Sequence, residues 1–262
     1  MAIRLESQAQ MRQIRSLPFC YVCAQAFEPH EERNSDHVPP TALFATDHRD
    51  FPLILPTHTR CNSAQSADDE TIGQLVGVLH GRAIVPHGRK PELYGGVFPD
   101  GSPGAGAKGL DVKRIIWRWV RGFHAALYRS PILEVGRQVF PPLPEGRVEA
   151  GRVEPVPVPE VIQHFVQEIK RNRATGTLDS VVCRKARCRY ECVWTQADGG
   201  QWFCVWALDI YGWSELGHDP HFDRRGCVGM YRQTDPVVPP GAEVATRLHF
   251  SVGRGLDPFA GS

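Results

Sequence analysis

Two pairs of potential metal ligands lie near the start of the chain at spacings that suit a zinc ion. Cys20 and Cys23 form a Cys-x-x-Cys half-site, and His58 and Cys61 form a His-x-x-Cys half-site. Three thiolates and one imidazole are a donor set of closed, tetrahedral Zn²⁺ sites. A loop-rich segment of this size buries little apolar surface, so a structural zinc ion would supply the missing stability. The alternative is that these are ordinary buried cysteines beside an unrelated histidine.

A second group of polar residues lies within and directly after this zinc frame. Asp36 and His37 precede two prolines, and Asn62 follows the last cysteine of the frame. A histidine that is neutral near pH 7 can accept a proton from water, which predicts a general base at His37. The hard oxygens of Asp36 and Asn62 suit Mg²⁺ or Mn²⁺, which keep several water ligands. The alternative is a turn at residues 36–37 and a helix cap at Asn62.

In this order, the residues resemble the HNH family of endonucleases, also called ββα-metal nucleases. The resemblance covers residues 20–75 and is carried by Cys20-x-x-Cys23, Asp36-His37 with its prolines, the run Leu53-Ile54-Leu55-Pro56, and His58-x-x-Cys61-Asn62. It implies an antiparallel hairpin with Asp36-His37 at the end of its first strand, followed by a helix with Asn62 near its start. It also implies phosphodiester hydrolysis with His37 as general base and a single divalent ion held by Asp36 and Asn62.

One position departs from the family's pattern. The family usually carries an asparagine, sometimes another polar residue, just before the apolar run of the second strand, where it steadies the loop that holds the general base. Residues 49–53 contain no asparagine, and Asp50 is the only candidate to replace it.

Two further charged groups have open interpretations. The acidic residues Asp68, Asp69 and Glu70 could add a carboxylate to the catalytic metal site, but such residues more often complement a helix N-terminus.

A basic ridge is predicted at Arg114, Arg118 and Arg121, on the most clearly helical stretch of the chain, residues 109–128. Such a ridge can follow a phosphate backbone, although it is often just the solvated face of a helix.

The overall composition limits the partners and the compartment. The chain has 262 residues and a formal net charge of +1, so a surface that binds nucleic acid must be local. No run approaches the roughly 18 apolar residues of a membrane span. The N-terminus lacks the apolar core of a signal peptide, which predicts a cytoplasmic protein with no membrane partner. In a reducing compartment the eight cysteines are better interpreted as metal ligands or core residues than as disulfides.

The pattern of helices and strands that must position these residues predicts an α+β protein in three parts. These are an N-terminal zinc-stabilised ββα-metal nuclease module with a lead-in helix (1–85), a Gly/Pro-rich linker (86–108), and a helical connector with a C-terminal mixed domain that contains a small antiparallel sheet (109–262). Helices are predicted at 3–16, after Ser66, at 109–128 and at 160–171, and strands at 178–182, 189–195 and 201–211.

Two later groups of potential ligands are expected to be structural. The first has no Cys-x-x-Cys pair and lies in or beside strand-like runs, which indicates buried core thiols: Cys183, Cys188, Cys192 and Cys204. The second lies in a Gly/Pro-containing turn region with no third or fourth ligand nearby, which indicates a surface loop: His218-x-x-His221-x-Asp223.

The sequence therefore predicts a metal-dependent HNH endonuclease that hydrolyses DNA, duplex more than single-stranded. One alternative is a zinc-stabilised module that binds nucleic acid or acts as a scaffold without cleaving. The other is an HNH nuclease directed at RNA.

Overall fold

The computed structural model describes residues 2–79, 93–97, 103–140, 146–149, 152–155, 160–196, 201–211 and 226–233. These residues form a mixed α+β structure, as predicted from the sequence. The helices are α1 (Gln8–Gln13), α2 (Thr59–Ser63), α3 (Ser66–Leu79), α4 (Val112–Tyr128) and α5 (Glu160–Thr175). The strands are β1 (Arg4–Leu5), β2 (Arg33–Val38), β3 (Leu53–His58), β4 (Leu93–Val97), β5 (Pro103–Ala107), β6 (Glu134–Phe140), β7 (Gly146–Glu149), β8 (Arg152–Pro155), β9 (Asp179–Cys183), β10 (Cys188–Gln196), β11 (Trp202–Ile210) and β12 (Cys227–Gln233).

A six-stranded sheet forms the larger part of the structure, in the order β1-β9-β10-β11-β12-β6. The pair β1–β9 is parallel and the other pairs are antiparallel. The strands predicted at 178–182, 189–195 and 201–211 correspond to β9, β10 and β11, each within two residues at either end. The segment predicted as a linker contains the two-stranded hairpin β4–β5.

The lead-in helix is shorter than predicted because its first residues belong to the sheet. Arg4 and Leu5 pair with Ser180 and Val181 of β9, and α1 begins only after Ser7. Ser7 caps the helix through a capping box with Gln10, in which each side chain bonds the other's backbone N–H. The prediction of a helix over residues 3–16 was therefore wrong at both ends, since α1 covers only Gln8–Gln13.

Helix α4 packs between the hairpin β2–β3 and the six-stranded sheet. Gly122 allows the close approach on the hairpin side, since a Cβ atom there would lie 2.8 Å from Val38 Cγ1 and 3.3 Å from Leu55 Cδ1. On the sheet side, the ring of Phe123 stacks on that of Tyr190 at 4.8 Å. Because both sides are covered, nearly every residue from Ile115 to Leu127 is buried.

A single apolar cluster crosses the boundary predicted between the N-terminal module and the rest of the chain. It contains Leu17 and Phe44 from the N-terminal part, Trp119 of α4, and Trp206 and Tyr231 of the sheet. The hairpin that carries the candidate catalytic residues is therefore anchored to the C-terminal sheet through α4, and it shares that sheet's core.

The four cysteines predicted as core residues (Cys183, Cys188, Cys192 and Cys204) are buried, in agreement with the sequence interpretation. The group His218, His221 and Asp223 lies outside the described residues. Among the residues that the structure describes, no helix is long and apolar enough to cross a membrane.

Acid should destabilise the fold through a histidine buried in α4. His124 is 1% exposed, its Nδ1 lies 2.6 Å from the Tyr231 hydroxyl, and burial lowers its pKa to about 3. The unfolded chain binds a proton at this position below pH 6.5 and the folded chain does not, so the contribution to stability is complete above pH 6.5 and is lost as pH falls. As the pH falls below 6.5, each pH unit should lower the free energy of unfolding by about 1.4 kcal/mol through His124 alone.

Urea unfolding of the wild type and of His124→Gln between pH 7 and pH 4.5 measures this contribution. The variant should lose less stability on acidification, because glutamine does not titrate there. Parallel stability curves for the two proteins would contradict the assignment.

Candidate functional site

The two half-sites predicted from the sequence come together in space. The ligand atoms of Cys20, Cys23, His58 and Cys61 all lie within 4.8 Å of one another. His58 Nδ1 faces the sulfurs, at 3.2 Å from Cys23 Sγ and 3.8 Å from Cys61 Sγ. This donor set fits a metal ion such as zinc, which confirms that the four residues form one candidate metal site. Among the described residues, no other cluster of three or more Cys, His, Asp or Glu ligand atoms is present.

Short-range structure places each of the four ligands. A tight turn carries the first pair, with Ala24 N–H donating to Cys20 O at 2.8 Å and Ala24 in the left-handed region at φ 64°. His58 ends β3 and is the N-cap residue of α2, and Cys61 lies within that helix. The register of β3 and the start of α2 therefore fix the second pair together.

The electrostatics of the thiols favour a bound cation. Burial and the neighbouring Cys20 and Cys23 raise the pKa of Cys61 to about 12. Burial also acts to raise the pKa of Cys20, but hydrogen bonds from Thr57 and from the backbone outweigh it and lower that pKa. A dication at the centre of the cluster would relieve the repulsion between the thiolates.

A carboxylate that the sequence analysis did not single out lies behind the histidine ligand. Glu31 Oε2 is 3.0 Å from His58 Nε2, the ring nitrogen that faces away from the sulfurs. The contact is electrostatic and lacks hydrogen-bond geometry, and a carboxylate on this side of the ring leaves Nδ1 to bind the metal.

Asp36 and His37 lie side by side on β2 but in different surroundings. Asp36 is 6% exposed, and its Oδ2 accepts a hydrogen bond from the Tyr21 hydroxyl and lies 3.8 Å from Arg118 Nη1. His37 is half-buried, and its side chain makes no hydrogen bond within the described residues. Burial and the charge of Arg184 lower the pKa of His37 below its ordinary value, against an opposing effect of Asp36.

Asn62 is carried by α2, the short helix that follows β3, so the chain runs hairpin and then helix in the order expected. In the hairpin, Asp36 pairs with Leu55 and His37 with Ile54. Asn62 is half-buried, and its side chain makes no hydrogen bond within the described residues. Its amide oxygen is therefore available to a ligand.

An arginine from the turn between β9 and β10 contacts the loop between β2 and β3. Asp50 is exposed and pairs with Lys185 Nζ at 2.5 Å. Arg184 is 1% exposed, and it donates to Arg49 O at 2.6 Å and to Thr41 Oγ1 at 3.1 Å. Asp50, the candidate to replace the family's asparagine, contacts the same turn only through its exposed pair with Lys185.

The predicted basic ridge was also wrong for Arg118. This side chain is 5% exposed, and its guanidinium pairs with Asp69 of α3 as well as with Asp36. Arg114 pairs with Asp68 of α3 but stays half-exposed, and Arg121 is half-buried. Asp68 and Asp69 thus tie α3 to α4, and only Arg114 and Arg121 remain predicted contacts for a phosphate backbone.

Comparison of the chain with protein-family models, with curated proteins and with solved structures gave no match.

Proposed function

We propose that this protein is a metal-dependent endonuclease of the HNH type that hydrolyses phosphodiester bonds in duplex DNA. The observation that carries the proposal is local. Asp36 and His37 stand on the first strand of a hairpin, Asn62 stands on the helix that follows it, and the Cys/His cluster joins the two. In this arrangement a general base and two oxygen ligands lie on elements that the zinc frame holds together.

The residues present fit the chemistry that the proposal requires. Asp36 Oδ1 and the side chain of Asn62 have no hydrogen-bond partner within the described residues, and both offer hard oxygens to Mg²⁺ or Mn²⁺. When bound there, a divalent ion supplies charge neutralisation on the phosphate and on the leaving oxygen. His37 accepts the proton of the attacking water, and its lowered pKa keeps it neutral near pH 7.

A cleavage assay tests the proposal directly. Wild-type protein is incubated with supercoiled plasmid, linear duplex, single-stranded DNA and RNA, each with Mg²⁺, with Mn²⁺ and with excess chelator. We expect cleavage of duplex DNA that requires a divalent ion. Cleavage of RNA alone would move the substrate to RNA, and cleavage in the presence of excess chelator would rule out the metal-dependent mechanism.

A second candidate is a non-catalytic zinc-stabilised protein that binds nucleic acid or acts as a scaffold. The burial of Asp36 favours it, because a carboxylate paired with Tyr21 and Arg118 also has a purely structural use. Electrophoretic mobility-shift assays on the same substrates separate the two candidates. Retardation of DNA without cleavage under any metal condition would support the binding protein and end the nuclease proposal.

A further inference from the structure

Tyr21 lies between Cys20 and Cys23 in the sequence, yet its side chain contacts a residue outside the metal cluster. It is 2% exposed, and its hydroxyl donates a hydrogen bond to Oδ2 of Asp36. This hydrogen bond joins the segment between the two cysteines to the strand that carries Asp36.

The same carboxylate oxygen faces a positive charge from a second direction. Arg118 Nη1 lies 3.8 Å from Asp36 Oδ2, an electrostatic contact without a hydrogen bond, and Arg118 Nη2 pairs with Asp69 on α3. Both neighbours of Asp36 thus lie on the Oδ2 side, and Oδ1 has no hydrogen-bond partner in the described part of the chain. Two carboxylates and one guanidinium carry a net charge of −1, so the buried group retains one negative charge that can attract a cation.

We propose that Tyr21 is a positioning residue that couples the Cys/His metal site to the cation site at Asp36. The inference rests on the proposed function, since it takes Asp36 as a cation ligand. A metal ion on Cys20 and Cys23 fixes the backbone on both sides of Tyr21. The fixed hydroxyl then holds Oδ2 and presents Oδ1, so that filling the first site prepares the second. By thermodynamic linkage, the cation at Asp36 in turn stabilises the filled zinc site.

The test compares Tyr21→Phe with a matched control, Tyr190→Phe. Tyr190 is a fully buried tyrosine of β10, outside the Cys/His cluster and the β2–β3 hairpin, so replacing it with phenylalanine removes the same hydroxyl at a place away from the site. Zinc content is measured by elemental analysis, and Mn²⁺ affinity by titration calorimetry on the zinc-loaded full chain. We expect Tyr21→Phe to keep the zinc content of the wild type and to bind Mn²⁺ about 10–100-fold more weakly, as for loss of an outer partner of a metal ligand. Tyr190→Phe should bind Mn²⁺ like the wild type.

Two results would overturn the inference, and they have different meanings. If Tyr21→Phe retains zinc and binds Mn²⁺ as tightly as the wild type, Asp36 needs no hydroxyl and the coupling is absent while the proposed function stands. If the wild type itself binds no Mn²⁺, the cation site at Asp36 is absent and the proposed function fails with the inference.

A second variant keeps the inference testable if Tyr21→Phe does not fold. Arg118→Lys preserves the charge beside Asp36 but loses the planar fork that spans Asp36 and Asp69. It should also weaken Mn²⁺ binding, with the zinc content unchanged. Unaltered affinity in this folded variant would show that the orientation of the carboxylate does not matter, and would overturn the inference.

Discussion

The His37→Ala protein is expected to cleave DNA about 10²–10⁴-fold more slowly than the wild type, while keeping its fold, its zinc and its affinity for DNA. The rate should fall because alanine has no ring nitrogen to accept the proton of the attacking water. The fold should survive because the His37 side chain is half-buried and makes no hydrogen bond within the described residues. The strand itself is held by backbone pairing of His37 with Ile54, which alanine preserves.

The pH dependence of the rate distinguishes a general base from a merely structural histidine. In the proposed mechanism cleavage needs the neutral form of His37, and the pKa of His37 lies below its ordinary value of 6.5. The rate should therefore rise with pH below 6.5 and level off near neutrality, and this rise should vanish in His37→Ala. A dication beside Asp36 would lower the same pKa further, so the direction of the expectation does not change.

Single-turnover rates and DNA binding constants supply the measurement, and His164→Ala supplies the control. His164 is an exposed histidine of α5, so its replacement should change neither the rate nor the pH profile. Asp36→Ala should behave differently from His37→Ala, because higher Mg²⁺ or Mn²⁺ should partly restore a lost metal ligand but not a lost base. A His37→Ala protein that cleaves at the wild-type rate would exclude this residue as the base.

The parts of the structure that depend on short-range spacing could be predicted from the sequence. Cys20 and Cys23 are close because a tight turn joins them, and His58 and Cys61 are close because a helix begins between them. The strands β9 to β11 were predicted from apolar and aromatic runs separated by turn residues or basic residues. In each case the determining contacts lie within a few residues along the chain.

The role of Arg118 could not be predicted, because helical periodicity identifies a face but not what covers it. The interpretation of a solvated ridge assumed that α4 has one buried face, whereas hairpin and sheet cover it from two sides. The acidic partner of Arg118, Asp69 of α3, lies 49 positions away in the sequence.

Arg184 illustrates the same limit over a longer range. It reaches the loop after His37 from a hairpin turn between β9 and β10, and its contact with Pro39 spans 145 positions. That turn places Arg184, Lys185 and Ala186 in the left-handed region, with φ of 56°, 51° and 64°. None of these is a glycine or an asparagine, so the turn carries no sequence signal of its conformation.

Removal of zinc is expected to release the turn that carries Cys20 and Cys23 and the hairpin β2–β3, and to abolish any cleavage activity. Zinc bound to a closed Cys/His site contributes about 10–16 kcal/mol in isolated zinc-finger peptides, which matches or exceeds the entire stability of a typical domain. Here the hairpin also packs on α4, so the loss of structure should be confined to the region around the metal site. In the metal-free protein, amide hydrogens in residues 20–63 should exchange rapidly, whereas those of β10 and β11, at the centre of the six-stranded sheet, should stay protected.

Hydrogen exchange with mass spectrometry measures this on the wild type, on protein stripped of zinc, and on Cys23→Ser. The matched control is Cys227→Ser, which changes a buried thiol of β12 outside the metal cluster. Wild type and control should each contain about one zinc per chain, as expected for one four-ligand site.

Cys23→Ser should contain much less zinc and should resemble the stripped protein in exchange and in its lack of cleavage with Mg²⁺ present. Because the proposed zinc ion would hold the elements that carry Asp36, His37 and Asn62, activity and protection of the hairpin should be lost together. Zinc-free protein with wild-type protection over residues 20–63 would show that packing on α4 alone holds the hairpin, and that the metal is not structural.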